Sequence, residues 1–182
     1  FLSGVTGAPL TWALMFTAVV FSSVFVLFVG LCARALAGNG AAFTVGLFAA
    51  ALLLPINNIS VHPHIHPTSQ AILFLPVLLY LVFNYVSIEN RRRLSRAGTP
   101  LGVVLAIAAA GMLFFHPQQA LNVLLLFAAI SAGQFVVRWR IPEHPIASHR
   151  PLYWQTVVLT VLFAVWTPRS AQFRSAVTGV VE

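Results

Sequence analysis

The chain has no lysine and no aspartate, and its only acidic residues are Glu89, Glu143 and Glu182. Charged residues make up 7% of 182, against roughly 25% in an ordinary water-soluble domain. Too few remain to coat a surface that faces water, so much of the exterior must face lipid. The single cysteine, Cys32, excludes an internal disulfide and a thiol metal site. Apart from Glu182 no acidic residue falls in an apolar stretch or in the connections that carry His62, His64, His66 and His116, which removes the buried acid–base ladder of proton-coupled transport. Phosphate loops, nucleophile elbows and His-Glu-x-x-His pairs are also missing.

What the chain has in abundance is apolar sequence. The hydrophobic fraction is 59% and the mean hydropathy +0.92. A membrane-spanning helix needs about 20 mostly apolar residues. Six stretches qualify or come close: 10–32, 41–56, 67–86, 100–115, 117–137 and 152–166. Pro9 and Thr99 suit helix starts, and Pro76 predicts a kink within the third stretch. The expected architecture is all-α, a polytopic transmembrane helix bundle of about six spans over residues 1–166. Residues 167–182 are expected as an extracytoplasmic interfacial tail, with Phe173, Val177 and Val180 at helical spacing, or equally as the start of a truncated extracellular region. The first stretch lacks a basic flank before it and is too long for a signal-peptide core. A start at Phe1 and an end at Glu182 read as a segment cut from a longer protein.

The remaining charge is sorted. Arg34, then Arg91, Arg92, Arg93 and Arg96, then Arg138, Arg140 and Arg150 occupy alternate connections. His62, His64, His66 and His116 occupy the connections between them. Cytoplasmic loops keep an excess of basic residues, so the expected orientation has the N-terminus outside and the arginines inside. Only Arg169 and Arg174 then lie outside. Trp12 and Trp166 mark the outer headgroup level, and Trp139, Tyr153 and Trp154 the inner one. The expected location is the plasma membrane, multi-pass, with histidine-rich loops extracytoplasmic. Arg91, Arg92, Arg93 and Arg96 would touch anionic headgroups. A net charge of +7 raises nucleic acid as a partner, but membrane orientation accounts for most of it, so membrane lipids are the expected partner and nucleic acid is not. Small residues at Gly46 and Ala50, and at Gly102, Ala106 and Ala110, offer faces for close helix approach.

The polar chemistry gathers on the expected outer side. His62, His64 and His66 alternate, and Pro63 and Pro67 hold the residues before them extended. Residues two apart then share a face, and three imidazoles there could bind a divalent metal, zinc or copper. A polar interfacial loop is the alternative. Two further segments resemble each other. His66-Pro67-Thr68-Ser69-Gln70 opens the third stretch and His116-Pro117-Gln118-Gln119 opens the fifth. Proline in the first turn, free N–H groups and the helix dipole together favour an anion. The candidate substrate residues are His66, Thr68, Ser69, Gln70, His116, Gln118 and Gln119. A plain pair of helix starts with nothing bound is the competing reading, and His144-Pro145 on the inner side uses the same dipeptide.

An outer-face His-Pro at the head of a membrane helix, over 62–83 and 116–127, resembles the GT-C class of polytopic glycosyltransferases. The resemblance implies a many-spanned enzyme that takes sugar from a polyprenyl-phosphate carrier at the extracytoplasmic face. It also implies a catalytic or metal-binding carboxylate in an early outer loop. This chain departs from the pattern there, so that carboxylate would lie outside residues 1–182. Exclusive use of arginine over lysine fits a GC-rich prokaryotic source, a halophilic archaeon among them. Two other classes stay open from the residues alone. One is a transporter or metal-handling protein using His62, His64 and His66. The other is a non-catalytic membrane assembly subunit.

Overall fold

The computed structural model describes residues 7, 9–56, 67–87 and 100–169. Among them the chain is helical, with no β-strand. Seven α-helices run in order: α1 Leu10–Ala37, α2 Gly40–Ile56, α3 Pro67–Ser87, α4 Pro100–Phe115, α5 Pro117–Arg140, α6 Pro145–Ser148 and α7 Tyr153–Trp166, with a 3-10 turn at Thr167–Arg169. Each of the six apolar stretches is a helix. Three helical segments are long and apolar enough to cross a membrane: Met15–Ala37, Ser69–Ser87 and Pro117–Arg140. The other three are short for that task. At 1.5 Å per residue, the 17, 16 and 14 residues of α2, α4 and α7 reach about 25, 24 and 21 Å, against a hydrocarbon core of about 30 Å.

The chain divides into two compact units, Phe1–Phe83 and Asn84–Glu182. In the first, α1 and α2 form a hairpin. α1 extends past the expected end at Cys32 to Ala37, because Arg34 in the last turn complements the helix dipole and does not interrupt the backbone bonds. Gly38 stops the helix with φ 71°, and its N–H bonds the Arg34 carbonyl at 2.8 Å. A left-handed residue after the last turn favours glycine. Asn39 then starts α2, its Oδ1 accepting from the Ala42 N–H at 2.8 Å.

The two arms of the hairpin touch through residues without bulk. A Cβ placed on Gly46 would lie 2.8 Å from the Ala33 Cβ and 3.2 Å from the Gly30 Cα. One placed on Gly30 would lie 3.0 Å from the Phe43 carbonyl oxygen. Ala50, one turn beyond Gly46, is buried. The small face expected in the second stretch is therefore a contact face. α3 meets α1 at Pro76 and at Tyr80. The Cys32 thiol donates to the Pro76 carbonyl at 3.3 Å, and Phe28 and Tyr80 form an edge-to-face ring contact at 5.4 Å.

The second unit packs α4, α5 and α7 against one another. α4 buries Leu105, Ala109, Met112 and Leu113. Gly102 is buried as well, whereas Ala106 and Ala110 are only partly covered, so the contact face turns away from the expected small-residue row toward the larger side chains. α5 buries Ala120, Val123, Phe127, Ser131 and Gln134, a stripe at spacings of three and four. α7 adds Leu152, Gln155 and Leu159. Only His116 separates α4 from α5. Pro117 forces the residue before it out of the helical region, and His116 sits at φ −161°, ψ 115°.

Candidate functional site

α5 carries different chemistry at its two ends. At 24 residues it separates them by about 36 Å. Its N-terminus holds His116 beside Phe114, whose ring meets Trp166 of α7 at 4.9 Å. Its C-terminus holds Arg138 and Arg140 beside the start of α7. Within this unit, the histidine end and the arginine end are opposite.

At the N-terminal end, the His116 N–H still closes the last turn of α4 on the Met112 carbonyl, at 3.0 Å. Its carbonyl opens α5 by accepting from Ala120 at 3.1 Å. Pro117 has no N–H, and the N–H groups of Gln118 and Gln119 precede the first intrahelical donor, so this end presents positive potential. The imidazole makes no capping bond, and its Nδ1 is buried with no hydrogen-bond partner. Gln118 is exposed. The Gln119 Oε1 accepts from Asn122 Nδ2 at 3.2 Å, leaving its amide N–H₂ for other use. Three of the seven expected substrate residues thus share one turn.

Thr68, Ser69 and Gln70 share the first turn of α3, where Ser69 and Gln70 are partly buried. This turn belongs to the other compact unit. His62, His64 and His66, and Arg91, Arg92, Arg93 and Arg96, lie outside the described residues. Among the described residues no three of His, Cys, Asp and Glu gather as a metal site.

The other end of α5 holds a polar network that the sequence reading missed. Gln134 is 3% exposed and works as a clamp. Its Nε2 donates to the Arg150 carbonyl at 3.0 Å, and its Oε1 accepts from the Leu152 N–H at 3.1 Å. It thereby satisfies the backbone on both sides of Pro151, where neither group has helical partners. One turn earlier, Ser131 Oγ and Thr156 Oγ1 lie 2.9 Å apart, and Thr156 donates onward to the Leu152 carbonyl at 3.0 Å. One turn later, Arg138 Nη2 donates to the His149 carbonyl, and its guanidinium carbon lies 5.8 Å from the Tyr153 ring centre. Arg138 Nε, Tyr153 Oη and Gln155 Oε1 are buried without partners. The signal was present in the sequence: Ser131 and Gln134 fall in phase with Ala120, Val123 and Phe127. α6 was also legible, with Pro145 in its first turn and His144 before it. His144 Nδ1 accepts from the Ile146 N–H at 3.2 Å.

Comparison with protein-family models, curated proteins and solved structures returns no match. The three long apolar helices are compatible with an integral membrane protein, and any finer function has to be argued from the residues.

Proposed function

We propose that this chain is part of a multi-pass membrane protein that holds the phosphate of a polyprenyl-phosphate-linked sugar at its extracytoplasmic face, in the manner of a GT-C-like glycosyltransferase. The observation that carries this reading is the start of α5. An unpaired, buried imidazole nitrogen on His116 stands beside amide N–H groups that no helix carbonyl accepts. A phosphate oxygen is a strong acceptor for that set of donors. In the sequence His66, Thr68, Ser69 and Gln70 repeat the same His-Pro-polar pattern and are a second set of candidate donors, and the sugar-transfer carboxylate comes from sequence beyond residues 1–182.

In this reading all six apolar helices span the membrane and the N-terminus is outside. The short helices α2, α4 and α7 are accommodated by local thinning and snorkelling. The turn at Thr167–Arg169 lengthens α7 by about 6 Å. α1 and α3 then run the same way. Their contacts, Phe28 with Tyr80 and Cys32 with Pro76, run in opposite order along the two helices, as in an antiparallel pair, and so count against this alternation at α3.

The test is capture of a photoreactive polyprenyl phosphate by the full chain in membranes. His116→Ala and Gln118→Ala together should weaken capture about tenfold, the loss expected for hydrogen bonds to a charged group. Unchanged capture, or none by the unaltered protein, would remove the reading.

A further inference from the structure

We infer that the arginine end of α5 is a binding seat for the phosphate of an anionic phospholipid headgroup. The inference rests on the chain being a membrane protein and is independent of the glycosyltransferase reading. Arg140 lies over the ring of Trp139, 4.8 Å from guanidinium carbon to ring centre. Trp139 is 69% exposed, and Trp154, next to Tyr153 on α7, is 62% exposed. Arg138 and Tyr153 already touch across the two helices, so both tryptophans stand at the same end of the unit. Arg138, Arg140 and Arg150 lie in the last turn of α5 and the connection after it, and Glu143 is the only carboxylate among the described residues.

Two donors at this end have no acceptor: Arg138 Nε–H and the Tyr153 hydroxyl. Both suit a phosphate oxygen, and a guanidinium presents its N–H groups in the fork that phosphate geometry matches. The exposed apolar surface identifies the source of the phosphate. Trp139, Trp154, Ile141 and Ile146 are all exposed, which is costly around a free aqueous anion. The same surface is favourable at the glycerol level of a bilayer, where indole rings concentrate. A headgroup phosphate comes with acyl chains for these side chains to cover; dissolved phosphate does not.

The experiment uses the full chain in vesicles, with Trp12→Phe and Trp166→Phe leaving Trp139 and Trp154 as the only indoles. Quenching is compared for bromine-labelled phosphatidylglycerol and bromine-labelled phosphatidylcholine. Phosphatidylglycerol should be preferred. Arg140→Gln should reduce that preference about fivefold, the worth of one basic residue at an anionic surface, and Arg138→Gln by a similar factor. Arg140→Lys should retain it, and because Arg140 is exposed both changes there leave the fold intact. Dissolved glycerol phosphate should not displace the lipid. Equal quenching by both lipids, or displacement by glycerol phosphate, would overturn the seat. Absence of quenching by either lipid would overturn the membrane reading beneath it, and so is told apart from failure of the seat alone.

Discussion

The α1–α2 hairpin and the α4–α5–α7 unit hold helices together by different means. In the hairpin the backbones approach until glycine is required at Gly30 and Gly46, and dispersion between closely packed surfaces supplies the attraction. In the second unit, hydroxyl and amide side chains cross between helices, with Ser131 on Thr156 and Gln134 on the backbone of 150 and 152. Both devices suit lipid, where burying an apolar side chain between helices gains little over leaving it in the acyl chains. The first device leaves no room for error in shape, and the second leaves none in chemistry.

The largest expected effect comes from filling the hairpin contact. Gly46→Val places atoms inside the Ala33 side chain and should destabilise the first unit by about 1–3 kcal/mol, the usual cost of overpacking. Thermal unfolding in mild detergent would measure it, and an unchanged midpoint would dissolve the proposed contact. Gln134→Leu comes next. It strips the partners from the Leu152 N–H and the Arg150 carbonyl and should cost about 1–3 kcal/mol, with faster amide exchange at Leu152 as a local readout that shape loss would not produce. Thr156→Val tests a weaker bond. Interhelical hydrogen bonds in membranes average about 0.6 kcal/mol, so its midpoint shift should be several times smaller than that of Gly46→Val. The smallest effect sharpens the contrast. A Cβ on Gly133 meets nothing within 4 Å, so Gly133→Ala should raise stability slightly, by up to about 1 kcal/mol through helix propensity.

The helices themselves were legible because apolar runs and prolines point to the same boundaries. Departures fall where charge was taken as a stop. α1 continues beyond Arg34 and α5 beyond Arg138 to Arg140, since long basic side chains reach water from a helix end without breaking its backbone bonds. The Gly46–Ala50 face was legible from spacing alone. The row at Gly102, Ala106 and Ala110 was not, because the same small residues are common on lipid-facing surfaces and packing there follows Leu105, Ala109 and Met112. At the candidate site the sequence located His116 and the helix that follows it, because His-Pro fixes a local backbone break. It missed Gln134 for the opposite reason. That side chain bonds backbone groups 16 and 18 residues away, and no local pattern announces a carbonyl across a connection.

The central claim is that histidine and arginine mark opposite faces of a membrane. The direct test places one cysteine on each side in a Cys32→Ser background. Ser60→Cys should react with an impermeant thiol reagent in intact cells, and Ser148→Cys, exposed at the end of α6, only after the membrane is opened. Reaction of both in intact cells, or of Ser148→Cys alone, would contradict it.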